Sequence, residues 1–144
     1  MEFVHLHNHT HFSMLDAAAT VDDLIEAAVS NGHNSVALTD HGVMFGAMEF
    51  YHKARRKGIK PIIGFEAYLA TGSRFDKTAG KTKKKNYYHI LLIAKDYQGY
   101  KNLIKLTTLA HLEGFYYKPR IDKELLEKYR EGIIVCSGCI NGVI

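Results

Sequence analysis

The alternation of short β-like runs with amphipathic helices is the feature that most constrains how this sequence can fold. Strands are predicted at residues 3–6, 35–38, 59–69, 87–95 and 132–136, the third of them broken by Pro61 and Gly64. Helices are predicted from Thr20 to Asn31 and at 45–56, 97–112 and 122–129. About five β/α units favour the α/β class with a parallel sheet, because parallel neighbours need a crossover connection that is usually a helix. The order suits an open doubly wound sheet or part of a barrel.

The composition excludes a disordered or membrane-spanning chain. Apolar residues make up 47% of the 144 residues and charged residues 24%, which is typical of globular proteins. The longest apolar runs fall far short of the roughly 20 residues that a membrane helix needs. The first residues carry neither a basic nor an apolar signal segment. We therefore expect a cytoplasmic protein with no membrane partner.

A basic segment, residues 71–86, accounts for much of the net charge of +4. Two interpretations remain open. The segment could be a solvated loop, or it could be a phosphate-attracting arm beside a nucleic-acid path, since clustered cations supply affinity that does not depend on base sequence. The residues that would then bind nucleic acid are Arg74, Lys81, Lys83, Lys84 and Lys85.

Histidines and carboxylates recur where the predicted strands end, and functional groups gather at the carboxyl ends of parallel strands. Each residue alone has an ordinary structural explanation, but the set has the ligands that a multinuclear site needs. Imidazole and carboxylate suit Zn²⁺, Mn²⁺ or Fe²⁺. The residues are His7, His9 and Asp16 after the first strand, Asp40 and His41 after the second, Glu66 in the third and His89 in the fourth.

Cys136 and Cys139 follow the last predicted strand as a Cys-x-x-Cys pair. A redox pair normally opens a helix after an early strand, and a four-cysteine zinc site would need two more thiols. Either one cysteine joins the histidines and carboxylates as a ligand, or both are small buried residues. We favour Cys139 as a ligand and Cys136 as a buried residue.

Several motifs resemble the PHP (polymerase and histidinol phosphatase) family. They are His-Asn-His-Thr at 7–10, Thr-Asp-His-Gly at 39–42, Pro-Ile-Ile-Gly-Phe-Glu at 61–66 and Tyr-His-Ile-Leu-Leu at 88–92. Stretches at 44–51, 72–76, 99–106 and 113–120 are similar to one branch in particular, the bacterial DNA polymerase III alpha subunits. The resemblance covers nearly the whole chain.

The resemblance implies a distorted (β/α)₇ barrel that holds two or three divalent ions, Zn²⁺ or Mn²⁺ with Fe²⁺ as an alternative. It implies Glu66 as a bridging carboxylate, and catalysis by Glu66, His9 and His41. The implied ligands are His7, His9, Asp16, His41, Glu66, His89 and Cys139.

Two features of the family have no counterpart before Ile144. These are the last metal-binding motif, Asp-x-His, and the polymerase aspartates, which lie further along in the family. We therefore expect residues 1–144 to be the amino-terminal portion of a PHP domain, with a metal cluster incomplete on one side and no polymerase activity of its own.

The resemblance supports two main hypotheses for function. The first is a metal-dependent phosphoesterase, a 3′–5′ exonuclease that trims single-stranded primer ends within a DNA-directed DNA polymerase. The second is a non-catalytic, metal-stabilised scaffold that supports the polymerase and docks a proofreading subunit. The implied partners are DNA, the remaining polymerase domains, a proofreading exonuclease and a sliding clamp. A free-standing small-molecule phosphatase is disfavoured, because such an enzyme does not need the polymerase-branch stretches.

Overall fold

The computed structural model describes residues 3–78 and 86–142. Most of the predicted elements are present within one or two residues, and α3 has the predicted bounds. The helices are α1 Val21–Ser30, α2 Ala47–Arg56, α3 Tyr97–Leu112 and α4 Lys123–Lys128. The strands are β1 Ser35–Leu38, β2 Lys60–Ala70, β3 Tyr87–Ala94, β4 Phe115–Tyr116, β5 Lys118–Ile121 and β6 Ile133–Cys136.

Capping side chains set the beginnings of three helices. The Thr20 hydroxyl accepts the amide hydrogen of Asp23 at 3.1 Å, and the Asp23 carboxylate accepts that of Thr20 at 2.7 Å, which completes a capping box. Asp96 and Asp122 cap α3 and α4, and each does so by accepting a backbone amide hydrogen with its carboxylate. By contrast α2 has no capping side-chain hydrogen bond at Gly46, and it begins at Ala47 rather than at the predicted Phe45.

The longest strand, β2, contacts most of the sheet. It pairs in parallel with β1 through residues 60–63, then antiparallel with β3 through residues 64–70, and in parallel with β5 at Tyr68 and Leu69. The predicted break at Pro61 and Gly64 is therefore wrong, because β2 runs through both residues. Gly64 stands where the pairing with β3 starts, and a Cβ there would lie 2.5 Å from the backbone oxygen of Leu92.

The expectation of a fully parallel sheet is also wrong. The strand order is β4-β5-β2-β3-β6, with β1 also on β2, and β3 runs antiparallel to both β2 and β6. The sequence contains the reason, since the predicted strands at 59–69 and 87–95 are separated by the basic segment and by no predicted helix. A connection without a crossover helix permits antiparallel pairing.

Two further local expectations need correction. Residues 3–6 form no assigned strand, although the carbonyl of His5 accepts the amide hydrogen of Ala37 at 3.0 Å, so the segment still lies along β1. The hairpin of β4 and β5 was not predicted. Its strands are very short and Pro119 lies within β5, and proline argues against a strand.

Two apolar clusters hold the elements together. One lies between the sheet and helices α3 and α4, around Phe65, Leu92 and Leu106. The other joins α1 and α2 to β1, around Ile25 and Phe50. Within the described ranges, none of the four helices has the length and apolar character that crossing a bilayer would require.

Replacing Gly64 by alanine should destabilise the fold, because the new methyl group would press on the backbone of β3. We expect the free energy of unfolding to fall by about 1–3 kcal/mol, as overpacking usually costs. Urea denaturation of Gly64→Ala measures this. Gly72→Ala is the matched control, since a Cβ there has no neighbour within 4 Å. Equal stability of the two variants would contradict the close approach of β2 and β3.

Candidate metal centre

A single buried carboxylate, that of Glu66, receives four imidazoles. Its Oε2 lies 2.7 Å from His7 Nε2, 2.9 Å from His9 Nε2 and 3.3 Å from His41 Nδ1. Its Oε1 lies 2.7 Å from His89 Nδ1. The Glu66 side chain is only 1% exposed. An ionised carboxylate is costly at such a position unless cations or hydrogen-bond donors compensate for the lost water.

Backbone hydrogen bonds fix His41 beside Glu66. After β1 the chain continues along β2, where the Glu66 amide donates to the carbonyl of Asp40 at 3.0 Å and the Gly42 amide donates to the carbonyl of Glu66 at 2.9 Å. Gly42 has a φ of 65°, and a Cβ there would lie 2.8 Å from Pro119. Glycine is therefore required for the turn that follows His41.

Asn8 lies between the two leading histidines and ties their segment to β1. Its side-chain amide donates to the carbonyl of Ala37 at 3.1 Å, and its backbone N–H donates to the Thr39 hydroxyl at 2.9 Å. With Asn8 held on β1, the neighbouring side chains of His7 and His9 share one side, and their Nε2 atoms are 3.1 Å apart. The predicted pairing of these two histidines at one site agrees with this geometry.

The segment after His9 is held by Asp40, whose side chain does not join the imidazole cluster. The Asp40 carboxylate is buried and accepts hydrogen bonds from the Thr10 amide at 2.6 Å, the Thr10 hydroxyl at 2.8 Å and the Ser13 hydroxyl at 2.7 Å. Ser13 also accepts the amide hydrogen of His41 at 3.1 Å. Asp40 therefore positions the loop that ends at Asp16.

Asp16 and Cys139 lie at the edge of the cluster. Asp16 Oδ2 is 2.6 Å from His41 Nε2, on the other side of that ring from Glu66. Cys139 Sγ is 3.7 Å from His89 Nδ1, because the His89 amide donates to the carbonyl of Asn141 and so holds the 139–142 segment beside β3. Both residues line a cavity of about 400 Å³ together with the other predicted ligands.

The antiparallel direction of β3 is what brings His89 to the site. His89 is near the beginning of β3 and pairs with Tyr68, two residues beyond Glu66 on β2. If β3 ran parallel to β2, its first residues would instead lie at the opposite end of the strands. The prediction that His89 joins the cluster agrees with the structure, although the sheet direction assumed for it does not.

Burial and contacts within the cluster shift the pKa values of its ionisable side chains. Burial acts to raise the pKa of Glu66, but hydrogen bonds from His7, His9 and His89 and the nearby His41 outweigh it, and the pKa is far below its usual range. The hydrogen bond to Glu66 raises the pKa of His7 against the effect of burial. Burial lowers the pKa of His41, with His9 acting in the same direction. Glu66 is therefore ionised.

The donor set fits divalent metal ions. Three overlapping groups each bring their donor atoms within 4.8 Å of one another: His7, His9 and Glu66; His9, Asp16 and His41; and His41, Glu66 and His89. Donor atoms around a tetrahedral Zn²⁺ at about 2.0–2.1 Å lie about 3.3 Å apart. Among the described residues, His41 Nδ1 is the buried side-chain polar atom that lacks a hydrogen-bond partner, and it faces Glu66. Cys139 belongs to none of these groups.

Tyr68 is a residue of the site that the sequence interpretation missed. Its ring stacks on His41 with centroids 5.8 Å apart and meets His89 edge to face at 5.2 Å. Burial, with Tyr87 and Glu66 as further contributions, raises the pKa of Tyr68 to about 12, so its hydroxyl stays protonated. Its spacing of two from Glu66 on a strand, which places both side chains on one face, is the signal that could have revealed it.

Arg74 does not have the exposed position expected of a nucleic-acid contact. Its side chain is 8% exposed, and its guanidinium is 2.6 Å from Glu113 Oε2 and 3.0 Å from Asp122 Oδ2. The expectation for Arg74 is therefore corrected, because its charge is already paired inside the fold. The other predicted contacts, Lys81, Lys83, Lys84 and Lys85, lie outside the described residues.

The chain belongs to the PHP family, whose domain model matches residues 5–144. Members of this family and the geometry above imply divalent metal ions. Among named relatives, the chain is 54% identical to DNA polymerase III subunit alpha of Aquifex aeolicus over 147 residues. It is 54% identical to that of Borreliella burgdorferi over 142 residues and 50% identical to that of Thermus aquaticus over 146 residues.

These relatives are much longer than the chain. The matches cover 99–100% of the chain but only 12–13% of each relative. The resemblance to the polymerase III alpha branch inferred from the motifs is therefore confirmed for the segment that corresponds to this chain.

Solved structures support the fold class. An amidohydrolase from Chromobacterium violaceum matches with a TM-score of 0.51 and 25% identity, covering 72% of this chain and 32% of that one. A Bifidobacterium adolescentis protein assigned as a metal-dependent phosphoesterase matches with a TM-score of 0.50 and 21% identity, covering 73% and 33%. The predicted fold class, a portion of a PHP (β/α) barrel, is confirmed.

The buried pair of Arg74 and Asp122 should make stability depend on acid. Burial acts to raise the pKa of Asp122, but the amides of Arg74 and Leu125 and the Arg74 guanidinium lower it below its usual value. A carboxyl with a lowered folded-state pKa stabilises the fold above its unfolded-state pKa, about 4, and this contribution is lost as the pH falls through the folded-state value. Asp122→Asn should cost on the order of 3 kcal/mol at neutral pH and flatten the acid dependence.

Urea denaturation between pH 3 and pH 7 measures both effects. Glu127→Gln is the matched control on the same helix, because Glu127 is 68% exposed and pairs with an Arg130 that is 70% exposed. That variant should retain the stability and the acid dependence of the native chain. The account fails if Asp122→Asn and Glu127→Gln behave alike.

Proposed function

We propose that this domain hydrolyses phosphodiester bonds at the 3′ end of single-stranded DNA with the aid of divalent metal ions. The observation that supports this proposal most strongly is the convergence of four imidazoles on the buried carboxylate of Glu66, in a cavity open to solvent. A structural ion pair would not need four imidazoles around one carboxylate. A closed structural metal site would not need the open side.

Zn²⁺ or Mn²⁺, with Fe²⁺ as the alternative, suits these donors, and two or three ions are proposed from the three overlapping groups. Bound ions of this kind supply Lewis-acid stabilisation and an activated water for in-line displacement at phosphorus. The proposed ligands are His7, His9, Asp16, His41, Glu66, His89 and Cys139. Of these, Cys139 has the weakest geometric support.

The chain's own residues have distinct roles in this proposal. Glu66 would be a ligand common to neighbouring ions, because its two oxygens face different imidazoles. His9 and His41 stand between groups, since each belongs to two of the three. Asp16, whose carboxylate lies at the outer nitrogen of His41, would hold an ion together with His9 and His41. Glu66, His9 and His41 are therefore the proposed catalytic residues.

The biological setting is proposed from the relatives. Residues 1–144 would form the amino-terminal part of the PHP domain of a cytoplasmic DNA polymerase III alpha subunit. Its partners would be DNA, the other polymerase domains, a proofreading exonuclease and a sliding clamp. The alternative is a scaffold in which the metals only stabilise the fold.

Metal content tests the proposed site. The purified protein should contain stoichiometric Zn, Mn or Fe by elemental analysis, and His9→Ala and His41→Ala should each lose at least one equivalent, because each removes a donor from two of the three candidate groups. His52→Ala is the matched control, since His52 lies on the exposed side of α2 and its ring contacts Tyr51. Unchanged metal content in the two site variants would refute the ligand assignment.

Hydrolysis distinguishes the enzyme from the scaffold. The metal-loaded protein should cleave bis(p-nitrophenyl) phosphate and shorten a single-stranded oligonucleotide from its 3′ end, and both activities should fall by 100-fold or more in His9→Ala. Full metal occupancy without either activity, together with loss of stability when the metal is removed, would instead assign the scaffold role.

A further inference from the structure

A groove of about 600 Å³ opens directly beside the proposed metal centre. It shares Asp16, His41, His89 and Asn141 with the cavity around Glu66, so a ligand in the groove would extend into the metal centre. The remaining lining is mainly aromatic and aliphatic, with one flexible cation, Lys118. These aromatic and aliphatic residues are neither proposed metal ligands nor part of the basic segment.

Aromatic rings are held at two places around the groove. Phe12 and Phe45 contact each other edge to face with centroids 6.3 Å apart, and Phe45 is 72% exposed. Tyr68 and Tyr87 meet at 5.1 Å, and the ammonium group of Lys118 lies 5.4 Å from the Tyr68 ring centre. The groove therefore combines flat apolar surfaces with a cation next to the proposed phosphate-binding centre.

Two exposed side chains of the groove are presented by a backbone conformation that such residues rarely adopt. Leu15 has a φ of 68° and Tyr117 a φ of 60°, and these are the non-glycine residues with positive φ in the described part of the chain. Both line the same groove, and Tyr117 is 79% exposed. Unfavourable conformations of this kind concentrate where a ligand is bound.

We infer that this groove binds the terminal unpaired nucleotides of a nucleic-acid strand, with bases stacked on Tyr117 and Phe45 and a backbone phosphate contacted by Lys118. The inference rests on the proposed function, and it names the part of the site that would distinguish a nucleic-acid end from a small phosphate ester. Every base presents a π-face, so stacking on aromatic side chains gives affinity without sequence preference. The mixed aromatic and cationic lining favours a nucleotide over an apolar peptide or a lipid.

Binding of fluorescein-labelled oligothymidylate tests the inference, with the last three linkages as phosphorothioates to slow hydrolysis. The probe is compared by fluorescence anisotropy with the same oligomer carrying abasic residues at its last three 3′ positions. The native protein should bind the complete oligomer about tenfold or more tightly than the abasic one. Tyr117→Ala should lose about tenfold affinity for the complete oligomer and none for the abasic one, whereas Tyr117→Phe should retain both affinities.

Tyr97→Ala is the matched control, since Tyr97 is 74% exposed and lies on α3 outside the groove. It should bind both oligomers like the native protein. Equal affinity of the native protein for the two oligomers, or no effect of Tyr117→Ala, would overturn the inference and leave a peptide as the occupant to consider.

Cleavage of bis(p-nitrophenyl) phosphate separates this inference from the proposed function. The native protein and Tyr97→Ala should cleave the small ester at the same rate, because Tyr97 lies outside the groove. If the small ester is not cleaved but the base-dependent affinity is present, the hydrolytic function fails and the nucleotide groove stands. If the small ester is cleaved and the base-dependent affinity is absent, the groove assignment fails alone.

Discussion

The burial of the Glu66 carboxylate is the interaction on which the rest of this structure depends. An ionised carboxylate away from water loses several kcal/mol of hydration, and its surroundings must replace that hydration with donors or cations. Here the replacement comes from His7, His9, His41 and His89, which belong to three segments distant in sequence from one another and from Glu66. The carboxylate thus joins four parts of the chain at one point. Metal ions at that point would strengthen the same convergence.

The sheet supplies the geometry that this convergence needs. β2 changes partner along its length, from β1 at residues 60–63 to β3 from Gly64 onward, and Glu66 lies just past the change. The loop after β1 can therefore place His41 against Glu66. The antiparallel direction of β3 places His89 at the same end of the strands. The site therefore lies where β2 exchanges its parallel partner β1 for its antiparallel partner β3.

Specific hydrogen bonds from neighbouring polar side chains hold the proposed ligands in place. Asn8 ties the His7 and His9 segment to β1, and the buried carboxylate of Asp40 holds Thr10 and Ser13. These polar side chains provide bonds that a regular strand would have made through its backbone. Preorganisation of this kind keeps donor atoms close together before any ion binds.

The sequence predicted the helices well because their signals are local. The capping box of Thr20 and Asp23 and the aspartates before α3 and α4 mark boundaries within a few residues. Its candidates included the four histidines that the structure places around Glu66, and their role as metal ligands is a proposal. Sheet direction could not be read in the same way, because pairing between β2 and β3 depends on contacts distant in sequence. The burial of Arg74 against Asp122 was invisible for the same reason.

The aromatic groove beside the proposed metal centre was equally hidden from the sequence. Phe12, Phe45, Tyr87 and Tyr117 come from four different segments, and each resembles an ordinary core residue when considered alone. Only the folded chain brings them to one side of the proposed metal centre. The left-handed conformation of Tyr117 has no clear signal in its neighbours Tyr116 and Lys118.

The central claim is that Glu66 bridges metal ions held by the surrounding histidines. Anomalous X-ray diffraction from crystals of the protein grown with Zn²⁺, recorded on both sides of the zinc absorption edge, tests it most directly. The account predicts at least two anomalous peaks, each within about 2.0–2.2 Å of a Glu66 oxygen and of imidazole nitrogens. Peaks found only away from Glu66, or none in a crystal whose protein otherwise has this fold, would contradict it.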